Sequence, residues 1–107
     1  MRGAEARLWE RLLDAYAALF AVEPEPYVRW NIVINTVRSS GADGLPMLAR
    51  FAEIDPYFAP DVADFARILA EGHNDFEEVW LEKQHADELA QRVRPWEVTE
   101  SHEEGSW

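Results

Sequence analysis

Glu82-Lys83-Gln84-His85 is the stretch whose spacing comes nearest to a metal-ligand arrangement. A Glu-x-x-His segment on a helix sets both side chains on one side, and carboxylate-bridged di-iron bundles use two such pairs plus inward glutamates from two further helices. This chain has one copy. If the apolar residues around it define the core face, His85 points about 120° away from that face at the helical period. A solvated pair is therefore expected, with no metal and no cofactor. Ser39-Ser40-Gly41 has the residue types of a nucleophile loop, yet no histidine is framed to serve it, so a helix stop explains it better. His73-Asn74-Asp75 reads as a helix junction at which a C-terminal dipole would favour a charged His73. His102 sits among Glu100, Glu103 and Glu104, and nothing there fixes a geometry. The five glycines are scattered, so no phosphate-cradling loop exists. With no cysteine in the chain, thiolate ligands, disulfides and a thiol nucleophile are all excluded. The expectation is a protein that is not an enzyme.

Charge supplies the remaining candidate. Residues 1–52 hold six basic and six acidic side chains, whereas residues 53–107 hold four basic against fifteen acidic, so the whole net charge of −11 falls in the second half. Asp61, Asp64 and Glu71, followed by Asp75, Glu78 and Glu82, recur at steps of three, four or seven that set them along expected helix faces. Such a surface repels nucleic acid and anionic membrane and steers basic partners toward it. Steps of three or four residues advance about 4.5 to 6 Å along a helix axis, a spacing loosely comparable with successive phosphates. These six carboxylates are the candidate partner-binding residues. Solubility alone is the competing explanation for the charge.

The elements that would carry these residues are helical. Residues 4–22 place Leu8, Trp9, Leu12, Leu13, Tyr16, Leu19 and Phe20 at helical spacing, and Glu23-Pro24-Glu25-Pro26 stops the run. Residues 27–40 fit two templates. Val28, Trp30, Ile32 and Ile34 alternate as a strand would, while Tyr27, Trp30, Val33, Ile34 and Val37 make one broad helical face with Val28 and Ile32 on a second. Helix is preferred because Gly41 supplies a stop and no good partner strand exists. A short third helix is expected over 44–53, and a fourth from Pro60 with Val62, Phe65, Ile68 and Leu69 inward, ending at Gly72. A fifth opens at an Asn74 cap with Glu77 three residues on, buries Phe76, Val79, Trp80, Ala86, Leu89, Ala90 and Val93, and closes at Pro95.

The expected fold is thus an all-α compact bundle of four to five short helices over residues 1–95, with Trp9, Trp30 and Trp80 in the core. Residues 96–107 are expected to form an acidic, mobile tail. No signal-peptide pattern and no run of about 20 apolar residues is present, so the chain reads as complete and cytoplasmic. The functional expectation is a small acidic protein-binding module that masks a basic surface of a protein partner. Inhibitory or neutralising proteins of the immunity, antitoxin or phage anti-defence type, nucleic-acid mimics among them, have this size and charge. The alternative is a structural or assembly adaptor, or a homodimer, acting through an uncovered apolar face of helix 27–40. A contiguous exposed apolar patch would favour the adaptor, and a contiguous acidic one the mimic.

Overall fold

Proline and glycine cut the chain into its elements where the sequence places them. A computed structural model describes residues 2–73 and 75–94, with side chains from residue 7 onward. It contains five α-helices and two 3-10 turns, and no strand among the described residues. Helix α1 (Arg2–Val22) ends at the Pro24–Pro26 corner, and Pro26 opens α2 (Pro26–Ser40) in the first-turn position, where its missing N–H costs nothing. The segment 27–40 is helical, so the β-branched alternation reflects a helix packed on more than one side. A 3-10 turn (Gly41–Gly44) leads into α3 (Leu45–Ile54), and a second (Pro56–Phe58) into α4 (Ala59–Ala70). Gly41 and Gly72 take φ of 55° and 96°, a region that L side chains rarely adopt, which is why these two positions end α2 and the turn after α4.

Helix α5 (Phe76–Ala90) begins one residue later than expected: Asp75 is its N-cap, and its carboxylate accepts from the Glu77 N–H at 3.3 Å. Asn74 lies outside the described residues. At the other end Gln91 adopts left-handed geometry, with φ 53° and ψ 40°, and turns the chain back toward α4. Pro95 and the segment 96–107 also lie outside the described residues.

The core is aromatic. Phe20, Phe51, Phe58 and Phe65 have no solvent exposure, and each such burial contributes about 1.5–3 kcal/mol. Phe20 stacks on Phe51 at 4.5 Å between centroids, and the buried Trp30 stacks against Phe58 and Phe65 at 6.1 and 6.2 Å. Trp80 is partly buried against Trp30 at 6.4 Å. Trp9 departs from expectation, since 38% of its surface faces solvent.

Packing runs α1 on α3, α3 on α4 and α4 on α5, with α2 against α3 and the first 3-10 turn. Among the described apolar residues of α1, only Leu13 and Phe20 are buried fully enough to join the core. Two arginines hold its position. Arg29 donates to the Ala21 carbonyl at 3.0 Å and to Asp55 at 2.8 Å while lying 5.1 Å above the Phe20 ring, and Arg50 pairs with Asp14. Helix α2 buries Trp30, Val33 and Val37, with Ile32 and Ile34 packed against the core, and leaves Tyr27 and Val28 exposed at its start. The larger uncovered apolar surface lies on α1, and the 27–40 segment expected from sequence keeps this smaller one.

Candidate functional site

Three features could engage a partner or do chemistry: an internal cluster of charges, an acidic face, and the open side of α1.

The internal cluster joins α4, α5 and the segment after α5. The Lys83 ammonium, with no exposed side-chain surface, lies 2.8 Å from Asp61 Oδ1 and 3.2 Å from Asp64, and it also pairs with Asp87. Arg92 reaches Asp64 at 2.8 Å and Asp87 at 2.7 Å, and Arg94 reaches Asp61 at 2.6 Å and Asp87 at 3.2 Å. Three carboxylates thus meet three cations. The Arg94 guanidinium carbon lies over the Trp30 ring, 3.8 Å from its centroid, so the cluster abuts the aromatic core. Burial pushes the Asp64 carboxyl up, but hydrogen bonds from Arg92 and Lys83 outweigh it and hold the group below the usual aspartate value. The same balance raises Arg92: burial works against its charge, and the bonds to Asp64 and Asp87 prevail.

This arrangement corrects the expected acidic surface at two positions. Asp61 is 1% exposed and Asp64 only partly exposed, because both turn inward to ion partners. Helical spacing marked them as a set but could not tell which way the set faced. Glu71, Asp75 and Glu78 are exposed as expected, and Glu82 is half-buried. They stand with His73, whose Nδ1 is 3.5 Å from Glu78 and Nε2 4.0 Å from Glu71, and with Arg67, 3.5 Å from Glu71. The helix start explains part of this charge: Glu77 and Glu78 occupy the first turn of α5, where the dipole favours anions.

His85 is exposed beside Glu82 in a shallow depression of about 460 Å³ shared with Asp64 and Arg67. Among the described residues no group of three or more histidines, aspartates or glutamates is placed to hold a metal ion. The structure does bring Ser39, Ser40 and His73 to one cleft of about 320 Å³, a proximity that sequence spacing did not reveal. The Ser39 hydroxyl donates to the Asn35 carbonyl at 2.8 Å, as helical serines do.

The open side of α1 is the feature that sequence reasoning missed. Leu8, Leu12, Tyr16, Leu19 and Val22 keep 59%, 41%, 50%, 58% and 76% of their surface exposed. Trp9, Leu12, Tyr16 and Leu19 form one wall of a groove of about 360 Å³ whose other wall is Ile32, Thr36 and Ser39–Ser40 of α2, with Gly44 and Met47 between them. The amphipathic pattern was correctly read as helical, but its apolar arc is wider than α3 alone can cover.

Comparison with protein-family models, with curated proteins and with solved structures finds no match for this chain.

Proposed function

We propose that this protein is a non-catalytic binding module, a structural or assembly adaptor that presents the open stripe of α1 and the adjoining groove to another protein chain. The observation that carries this reading is the row of large apolar side chains left in water on one helix, Leu8 through Val22. A contiguous patch of this kind on a chain otherwise rich in charge marks a contact surface. Water gains from its burial in proportion to the apolar area removed, whatever the partner. The acidic reading has weaker support, since Asp61 and Asp64 spend their charge internally and Glu77 and Glu78 serve the start of α5.

A second reading keeps one observation in its favour. Glu71, Asp75 and Glu78 remain exposed around the start of α5, with the half-buried Glu82 further along it, and such a group speeds encounter with a basic surface, as a masking or inhibitory protein would need. In either reading we place the protein in the cytoplasm: it has no cysteine to oxidise, and no described helix is long and apolar enough to cross a membrane.

Capture from native cell extract on the immobilised full-length protein tests the two readings together. Partners held by α1 stay bound as salt rises and are lost with Leu12→Glu/Leu19→Glu. Partners held by the acidic face leave as salt rises. Retention of the same partners by the α1 double variant would overturn the adaptor reading.

A further inference from the structure

We infer that the occupant of the α1 stripe is a second copy of the same helix, paired antiparallel, so that the chain forms a two-fold dimer through α1. This rests on the adaptor reading and names its partner. Leu8, Leu12, Ala15, Leu19 and Val22 follow one another at steps of four, three, four and three, and all five are exposed. That alternation is the heptad seam of a helix pair, with each position inserting between residues of the facing helix. The seam is about 21 Å long at 1.5 Å per residue, two full heptads. Leu13 and Phe20, which hold α1 to its own core, fall on a different face and stay out of the way.

Charge sets the direction. The first half of the described helix carries Arg7, Glu10 and Arg11, a net positive end, while the Glu23–Glu25 corner makes the far end negative. A parallel pair would bring like charges together at both ends. An antiparallel pair sets the arginines of each copy beside the acidic corner of the other and opposes the two helix dipoles. The register that pairs four of the five seam positions places Leu8 against Leu19 of the partner copy and Leu12 against Ala15 of the partner copy, with Val22 at the margin. Trp9 and Tyr16 flank this seam on the groove side, and the small side chains of Thr36 and Ser40 on the opposite wall leave space for the second helix.

Area sets the strength. The exposed fractions of Leu8, Trp9, Leu12, Tyr16, Leu19 and Val22 amount to roughly 600 Å² per copy, so the pair buries at most about 1,200 Å², the lower end of the range for specific interfaces. The dimer is therefore weak, and the chain is monomeric when dilute.

Sedimentation equilibrium of the full chain from about 1 to 500 μM tests this. The expected result is a monomer–dimer equilibrium, reaching twice the 12.3 kDa chain mass at the upper end. Ala15→Glu, at a position exposed in the folded chain, should weaken association by at least about 100-fold with unchanged circular dichroism; Leu12→Glu/Leu19→Glu should do the same. Because the chain lacks cysteine, single introduced thiols report orientation under mild oxidation. Leu8→Cys mixed with Leu19→Cys should give a crosslinked heteropair, and Leu8→Cys alone should not link to itself. A wild-type chain that stays monomeric to 500 μM, a dimer that survives Ala15→Glu, or efficient self-linking of Leu8→Cys would each overturn the proposal. A monomer that still loses its extract partners with Leu12→Glu/Leu19→Glu would refute the self-pairing alone and leave the adaptor reading in place.

Discussion

Lys83 Nζ stands 2.8 Å from Asp61 Oδ1, with neither side chain more than 2% exposed, at the point where α5 crosses α4. Two charges so placed are stable only in company, because each lost several kcal/mol of hydration on entering the interior. The company here is Asp64, Asp87, Arg92 and Arg94.

Removing one partner exposes that dependence. Lys83→Met is expected to destabilise the fold by about 3 kcal/mol, since Asp61 keeps Arg94 but loses its nearest ammonium. Asp61→Leu/Lys83→Met should cost much less than the two single changes combined. Urea unfolding of the three variants, with the midpoint and slope compared, checks both statements. Equal additivity would show that the pair is not coupled.

Asp64 makes the cluster sensitive to acid. Its carboxyl is held below its ordinary value of 3.8 in the folded chain, so the unfolded chain takes up a proton first as pH falls. The stability it contributes is fully present above that ordinary value and is lost as pH drops through the lower, folded value. Thermal unfolding midpoints should therefore hold level from pH 8 to about 5 as far as Asp64 is concerned, and fall below about pH 4. Asp64→Asn should flatten that acid limb relative to the parent.

The two tryptophans expected in the core alongside Trp80 should now behave differently. Trp30→Ala removes a ring packed against Phe58, Phe65 and Trp80 and the platform beneath Arg94, and is expected to cost about 3–5 kcal/mol. Trp9→Ala, at a position 38% exposed, should cost under about 1 kcal/mol in dilute solution. Chemical denaturation at low protein concentration separates the two.

Reversing Glu71, Asp75, Glu78 and Glu82 to lysine tests the acidic face. Glu71, Asp75 and Glu78 are exposed, so helicity should persist, but Asp75→Lys removes the N-cap of α5, which costs about 1 kcal/mol and lowers the thermal midpoint by several degrees. Under the adaptor reading extract partners are retained by this variant. Their loss at ordinary salt would transfer the function to α5.

Helices and their limits were legible because the signals are local. Pro24, Pro26, Gly41, Pro60 and Gly72 act on the backbone within a residue or two, and the structure ends or starts helices beside each of them. The inward face of α5 was legible only in its first half. Phe76, Val79 and Trp80 point inward as expected, whereas Leu89 and Val93 are 75% and 62% exposed and Lys83 occupies the core face instead. A lysine is almost never buried unless paired, and two of its three carboxylate partners, Asp61 and Asp64, lie on another helix. Continuing the Val79 stripe through Lys83 to Asp87 was the available signal. The open face of α1 was hidden for a related reason: periodicity identifies an apolar arc, but how much of that arc is covered depends on which neighbours arrive.

The left-handed turn at Gln91 makes the last described residues part of the closure of the bundle. It returns the chain so that Arg92 and Arg94 reach carboxylates as far back as Asp61, 33 residues earlier. Without those two arginines, Asp61, Asp64 and Asp87 would share Lys83 as the one remaining cation of the cluster. Arg92 and Arg94 thus act as a latch, and a chain cut after Gln91 would keep its aromatic core residues while losing the charge balance where α4 meets α5.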